Sequence, residues 1–420
     1  MTKRGPFGLT FRARSPKRPS NHKKTFGDDD MQSFQPPRRI LMGPGPSDVS
    51  PRVLAALARP TIGHLDPQFQ DLMEEIKAAL ARLFNAPDHA CVPLPAPGTA
   101  GMEAAIMNLL EPGDRAVIAI NGAFGGRMAD MAERAGAEVV KLDFEWGKPV
   151  DPAVVEEALA AAPTKVFAFV HAETSTGARS DAATLCGLAR KHGALSIVDC
   201  VTSLGGVAVD VAAWDADAVY SGTQKCLSAP PGLAPIALSK RAQAAIAGRK
   251  TKVRNWLCDF NLLMSYWGGE GGRTYHHTAP INALYGLHEA LVAIFEEGQQ
   301  AVLVRHARTH EALAAGIEAL GLKFLVDAPH RLPQLNAVLV PDGVDEAAVR
   351  AHVLEKWDLE IGAGLGPLKG KVWRIGLMGA SATPWHVRLC LTALSEALAV
   401  QGYKADAAAG LAAADQKLAA

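Results

Sequence analysis

No stretch of this 420-residue chain reaches the roughly 18 consecutive apolar residues that a membrane-crossing helix needs. Paired cysteines are missing too. The six cysteines are scattered, with no C-x-x-C among them, so neither a disulfide framework nor a zinc ribbon is expected. Reduced thiols of this kind point to a cytoplasmic protein. The chain also lacks an excess of charge: 43 basic residues face 43 acidic ones, so no nucleic-acid-binding surface is expected. The C-terminus carries no peroxisomal tripeptide. Acids are missing from residues 1–27, which hold eight Lys or Arg before Asp28-Asp29-Asp30 and a second methionine, Met31. That segment has no apolar face to bury. It reads as a basic extension or an over-long start, and it lacks the amphipathic stretch of a transit peptide.

Nearly half the residues are apolar and a fifth are charged, the balance of a globular enzyme. The length exceeds one small core and favours two domains. We divide the chain into a basic extension (1–36), a large domain (37–300), a smaller C-terminal domain (301–402) and a tail (403–420).

Apolar runs alternate with helical patterns through the first half. Strands are expected at 116–120, 137–142 and 166–170, with helices at 126–135, 152–162 and 182–192. Such spacing implies βαβ units and a mostly parallel sheet. Further on, 284–315 reads as one long helix. Strands at 324–326, 336–340 and 372–375 surround helices at 346–356 and 384–399.

Ligands of parallel sheets sit beyond the carboxyl ends of the strands. Two runs bring chemistry to that edge. Ala194-Leu-Ser-Ile-Val-Asp199 ends on a carboxylate, and Ala218-Val-Tyr220 leads through Ser-Gly-Thr-Gln to Lys225. A lysine in a loop is ordinarily solvated, but a buried one has a lowered pKa and a nucleophilic amine. A Schiff-base lysine and a carboxylate for a ring nitrogen are what a pyridoxal phosphate (PLP) site requires. Pro97-Gly-Thr-Ala-Gly101 is a small-residue turn opening a helix, a place that favours an anion. Arg374 lies between apolar residues of a strand, where either a salt bridge or a bound carboxylate would satisfy it. Adjacent His276 and His277 lack acidic or cysteine co-ligands at metal-site spacing, so no metal is expected. Gly362 to Lys371 is not a phosphate-binding P-loop, because Val372 stands where a Ser or Thr is needed; it reads as a flexible turn.

In order along the chain come Gly43-Pro-Gly-Pro-Ser47, Glu111-Pro-Gly-Asp114, Asn121-Gly-Ala-Phe-Gly125, His171-Ala-Glu-Thr-Ser-Thr-Gly177, Val198-Asp-Cys-Val-Thr-Ser-Leu-Gly-Gly206, Ser221-Gly-Thr-Gln-Lys225, Tyr275-His-His-Thr278 and Lys371-Val-Trp-Arg-Ile-Gly376. Together they resemble the class V, fold-type I PLP aminotransferases, and among them the alanine–glyoxylate and serine–glyoxylate aminotransferases. The resemblance implies an α/β fold with a mostly parallel sheet of seven-stranded type and a smaller C-terminal α/β domain. It assigns Lys225 and Asp199 to catalysis. It gives Gly98 and Thr99 to the cofactor phosphate and Phe124 to stacking on the ring, where relatives commonly carry Trp. Thr174, Val201 and Gln224 are assigned to further cofactor contacts. Arg374, with Ser203 nearby, takes the substrate carboxylate. Tyr275 and Thr278 reach the phosphate of a neighbouring subunit, which implies a homodimer, or a higher homo-oligomer, with shared sites. Relatives often have serines around Gly98, whereas Pro95 and Pro97 stand here.

The expected reaction moves an amino group from alanine or serine to glyoxylate. A related donor, ureidoglycine or pyridoxamine, is the alternative. A cysteine desulfurase would need a reactive cysteine in a loop of the smaller domain, and Cys390 instead falls in a helical pattern. A PLP-binding regulator would need a DNA-binding module, for which the residues ahead of Gly43 are too few.

Overall fold

The computed structural model describes residues 33–268 and 273–419, so the expected N-terminal extension lies, through residue 32, outside the described residues. Residues 39–420 form one compact unit. Among the described residues seven strands make the main sheet: β1 (Ala90–Leu94), β2 (Arg115–Ile120), β3 (Glu138–Asp143), β4 (Val166–Val170), β5 (Leu195–Asp199), β6 (Ala218–Tyr220) and β7 (Ala234–Leu238). Their order is β1-β7-β6-β5-β4-β2-β3. Only β7 runs against its neighbours, pairing antiparallel with β1 and β6. The remaining pairs are parallel.

Parallel strands must be covered on both faces, and the composition of the central ones shows it. Every residue of β4 and β5 is buried. Helices cover the sheet because their apolar residues recur at helical spacing. In Pro67–Leu83 the buried residues are Phe69, Met73, Ile76, Leu80 and Leu83, behind an Asp66 cap and a proline at the first turn. Ser50 and Pro51 open the preceding helix in the same way.

A second core joins Met42 to residues of the C-terminal third, among them Leu313, Ile317, Trp373, Ile375 and Leu394. It packs against a three-stranded antiparallel sheet of Leu335–Leu339, Val372–Gly376 and Gly362–Ala363. Strand Ile40–Leu41 pairs with Leu359–Glu360, so the start of the compact unit is tied to its C-terminal part.

Four local expectations need correcting. The single helix expected at 284–315 is two, Ile281–Glu297 and Gln299–Ala319, interrupted by Gly298 at a φ of 92°. That left-handed backbone ends a helix and suits glycine. No strand forms at 324–326, where Phe324 makes one isolated bridge to Val338. The turn expected from Gly362 contributes the short strand Gly362–Ala363. The tail expected at 403–420 contains a helix, Ala407–Ala419, whose Ala414 and Leu418 belong to the second core.

No described helix is long and apolar enough to cross a membrane.

Candidate active site

Lys225 sits five residues past the end of β6, in a turn held by short-range bonds. Ser228 N donates to its carbonyl at 3.0 Å, and Ala229 N donates to Thr223 O at 3.1 Å. The Gly43–Ser47 segment clamps this turn from outside. Ser47 Oγ donates to the Lys225 carbonyl at 2.7 Å and Ser47 N to that of Gln224 at 2.9 Å. The Lys225 ammonium donates to the Pro44 carbonyl. Gly45 is required for this approach: its φ is +105°, and a Cβ there would lie 2.4 Å from Nζ. Lys225 is only 8% exposed. Burial, reinforced by the Arg374 charge, lowers its pKa from 10.5 to about 8.

Asp199 ends β5 on the same edge of the sheet. Its Oδ1 accepts from Val201 N at 2.8 Å and its Oδ2 from the Tyr220 hydroxyl at 2.8 Å. Burial nevertheless pushes its pKa up to about 6, with these two bonds opposing the shift. A second carboxylate, Glu173, is fully buried beside them. It accepts from Ser175 N at 3.0 Å and Ser175 Oγ at 2.6 Å. It also accepts from Phe124 N at 3.2 Å and Gly125 N at 3.4 Å, in the first turn of the helix Ala123–Ala135. Burial raises its pKa. Close approach explains Gly122, where a Cβ would fall 2.3 Å from Glu173 Cγ.

One cavity brings together Gly98, Thr99, Phe124, Thr174, Asp199, Val201, Gln224 and Lys225, with Met102, Arg127 and Val170 completing its wall. Phe124, expected in a loop, lies instead in the first turn of its helix, which begins three residues earlier than anticipated. On the cavity wall the helix Gly98–Leu109 starts behind Pro97 with no side-chain cap. Its first N–H groups are therefore open to an anion. Gly98 packs so closely that a Cβ would meet Val201 Cγ2 at 3.1 Å. Gln224 Oε1 is buried without a hydrogen-bond partner. These features fit PLP: a buried amine, a buried carboxyl, an aromatic wall, an open helix start and an unsatisfied amide around one space.

Arg374 stands next to the cavity. Its Nε donates to Ala363 O at 2.7 Å and its Nη1 to Thr174 O at 3.2 Å, so both partners are carbonyls and not carboxylates. Burial lowers its pKa to about 10, against the pull of Glu173. Ser203 is fully buried, with its hydroxyl unpartnered, and is not part of the cavity wall. Tyr275 and Thr278 are exposed, bonded to each other at 3.2 Å, and lie away from this chain's own cavity wall. Cys390 is buried in the helix Pro384–Val400 and Cys226 is buried beneath the turn, both with pKa raised by burial to about 12.

Sequence reasoning passed over Tyr220, Glu173, Arg127 and Pro44. Tyr220 is reachable only through strand register, since it pairs with Asp199 across β5 and β6. Arg127 had a local signal: it lies one helical turn beyond Phe124.

The Aminotransferase class-V family model matches residues 49–369. Alanine–glyoxylate aminotransferase of Drosophila melanogaster is 41% identical over 365 residues, covering 86% of this chain and 93% of the relative. The crystal structure of alanine–glyoxylate aminotransferase from Nostoc sp. superposes with a TM-score of 0.86 at 43% identity, covering 89% of this chain and all of that one. That of ureidoglycine–glyoxylate aminotransferase from Bacillus subtilis gives 0.90 at 36% identity, over 93% of this chain and all of the other. With this sheet, this cavity and these relatives, the chain belongs to the class V aminotransferases, enzymes of fold type I that work with pyridoxal phosphate.

Proposed function

We propose that this aminotransferase transfers the amino group of alanine or serine to glyoxylate, yielding glycine and the 2-oxo acid of the donor. The observation carrying this reading is the convergence of Lys225, Asp199 and Arg374. An amine with a pKa near 8 and a buried carboxyl share one cavity, and a guanidinium without a carboxylate partner stands beside it. Bound there, PLP supplies an electron sink for the substrate's α-carbon. Lys225 would hold the cofactor through its amine and, as a neutral base, would move the proton at the substrate's α-carbon. Asp199 would keep the ring nitrogen protonated. Gly98 and Thr99 would hold the phosphate, Phe124 would face the ring, and Thr174, Val201 and Gln224 would complete the contacts. Arg374 fixes the substrate carboxylate by paired N–H donors, and Ser203 is assigned to the substrate site with it.

In the same reading residues 37–300 form the cofactor domain and 301–402 a smaller domain that carries Arg374. The enzyme is a cytoplasmic homodimer in which exposed Tyr275 and Thr278 complete the partner's phosphate site.

The test is a half-reaction panel. Holoenzyme is mixed with alanine, serine, ureidoglycine or pyridoxamine without an acceptor, and loss of the cofactor's absorbance is timed. Alanine or serine is expected to be fastest, with glyoxylate restoring the original spectrum. Fastest conversion by ureidoglycine or pyridoxamine would move the protein to that branch, in keeping with the B. subtilis relative.

A further inference from the structure

We infer that Arg127 is a cofactor-phosphate residue, supplying the positive charge that the helix start at Gly98 lacks. The inference rests on the cofactor site described above. A phosphate monoester carries close to two negative charges at neutral pH. Of the residues walling the cavity, only Lys225 and Arg127 are cationic. Lys225 is already engaged, its ammonium donating to the Pro44 carbonyl. At the helix start, Thr99 is the residue of this chain's cavity wall that offers a side-chain hydroxyl. Pro97, at the helix N-cap, offers neither an N–H nor a polar side chain, and no side chain caps that helix.

Arg127 reaches this end directly. Its Nη1 donates to Thr99 Oγ1 at 3.1 Å, Thr99 being the second residue of the open helix. Its Cζ lies 4.8 Å from the centroid of the Phe124 ring. The guanidinium thus bridges the aromatic wall and the phosphate turn. The Thr99 hydroxyl is its one hydrogen-bond acceptor among the described residues, which leaves most of its five donors for a bound oxyanion.

Two roles are separable by experiment. If Arg127 only props the Phe124 ring, its loss weakens the ring's binding with or without a phosphate. If it binds the phosphate, its loss is felt by PLP and not by pyridoxal, which has the same ring and no phosphate. Full-length protein freed of cofactor is titrated with PLP and with pyridoxal, for wild type, Arg127→Gln and Arg127→Lys, with circular dichroism confirming the fold. Loss of a charge-assisted bond predicts that Arg127→Gln lowers the preference for PLP over pyridoxal at least about tenfold, with Arg127→Lys recovering part of it. A preference within about threefold of wild type in Arg127→Gln would overturn the inference. Failure of the wild type itself to bind PLP would instead strike the cofactor site as a whole.

Discussion

The Tyr220 hydroxyl donates to Asp199 Oδ2 at 2.8 Å, between residues paired across the ends of β5 and β6. Tyr220 is fully buried, and its hydrogen bond works against the desolvation that raises the Asp199 pKa. The carboxyl proposed to hold the protonated ring nitrogen therefore depends on a neighbouring strand for its charge.

Tyr220→Phe removes that donor and keeps the ring. The Asp199 carboxyl loses one of the two bonds holding its charge, so its pKa rises further and the ionised form is lost at higher pH. The acid limb of kcat/KM should move upward, and activity at mildly acidic pH should fall roughly tenfold, the value of one hydrogen bond to a charged group. A pH profile superimposable on that of wild type would show that the bond is idle.

In the proposed mechanism Lys225 captures the cofactor only as the neutral amine. With a pKa lowered to about 8, most of it is neutral above pH 8, whereas an ordinary lysine near 10.5 would be almost wholly protonated there. Stopped-flow reconstitution of the apoprotein should accelerate about tenfold per pH unit up to pH 8 and then level off. A rate still climbing through pH 10 would mean that burial and Arg374 do not act on this amine.

The parts of the site legible in the sequence are those that end an apolar run. Asp199 closes β5 and Lys225 follows β6 closely, because buried parallel strands deliver their first polar residues to a common edge. What depended on three-dimensional register was not legible. Tyr220 looks like one more strand aromatic until it is paired with Asp199. Glu173 looks like part of a polar loop until its carboxylate is seen beneath the helix start at Phe124. The break at Gly298 was missed because apolar periodicity runs on through both helices, and a single left-handed residue leaves that pattern intact. The helix at Ala407–Ala419 was missed because an alanine-rich end has no strong apolar stripe, yet Ala414 and Leu418 suffice to dock it.

Gly45→Ala tests the clamp on Lys225. A Cβ would fall 2.4 Å from Nζ and 2.7 Å from Cδ, on a backbone at φ +105° that alanine adopts only with strain. The amine must move away from the Pro44 carbonyl. A misplacement on the order of 1 Å costs about a hundredfold in rate, so kcat should fall by at least that much while the fold survives. Borohydride trapping of the cofactor on Lys225, followed by peptide mapping, should fall in parallel. Unchanged kcat would show that the turn has room the geometry denies.

Dimerisation with shared sites is tested by complementation. Tyr275, proposed to serve the partner's site, is 62% exposed within one chain. Lys225→Ala is expected to be inactive, as is a Tyr275→Ala/Thr278→Ala double variant. In a mixed dimer one site combines an intact Lys225 with the partner's intact loop. Equal mixing with full subunit exchange should therefore restore about a quarter of wild-type activity. Absence of any recovery after verified exchange would assign both halves of the site to one chain.

The final prediction concerns what the donor pocket refuses. The Arg374 guanidinium donates to the Thr174 carbonyl beside the cavity, while Arg127, on the cavity wall, stands against Phe124 and Thr99. An alanine or serine donor brings one carboxylate, which Arg374 can take. Glutamate brings two, and the second would be desolvated against a site whose nearby ionisable groups include Asp199 and Glu173. An unpaired buried charge costs several kcal/mol, so glutamate should react at least about a hundredfold more slowly than alanine at 1.4 kcal/mol per decade. Arg374→Ala should raise KM for alanine and glutamate alike and leave most of that discrimination in place, because glutamate's second carboxylate is unpaired in either protein. Arg374→Lys should recover only part of the loss, since an ammonium cannot supply the paired N–H donors. Single-turnover rates for alanine and glutamate in all three proteins decide the matter, and a wild-type enzyme that prefers glutamate would show that a second clamp exists.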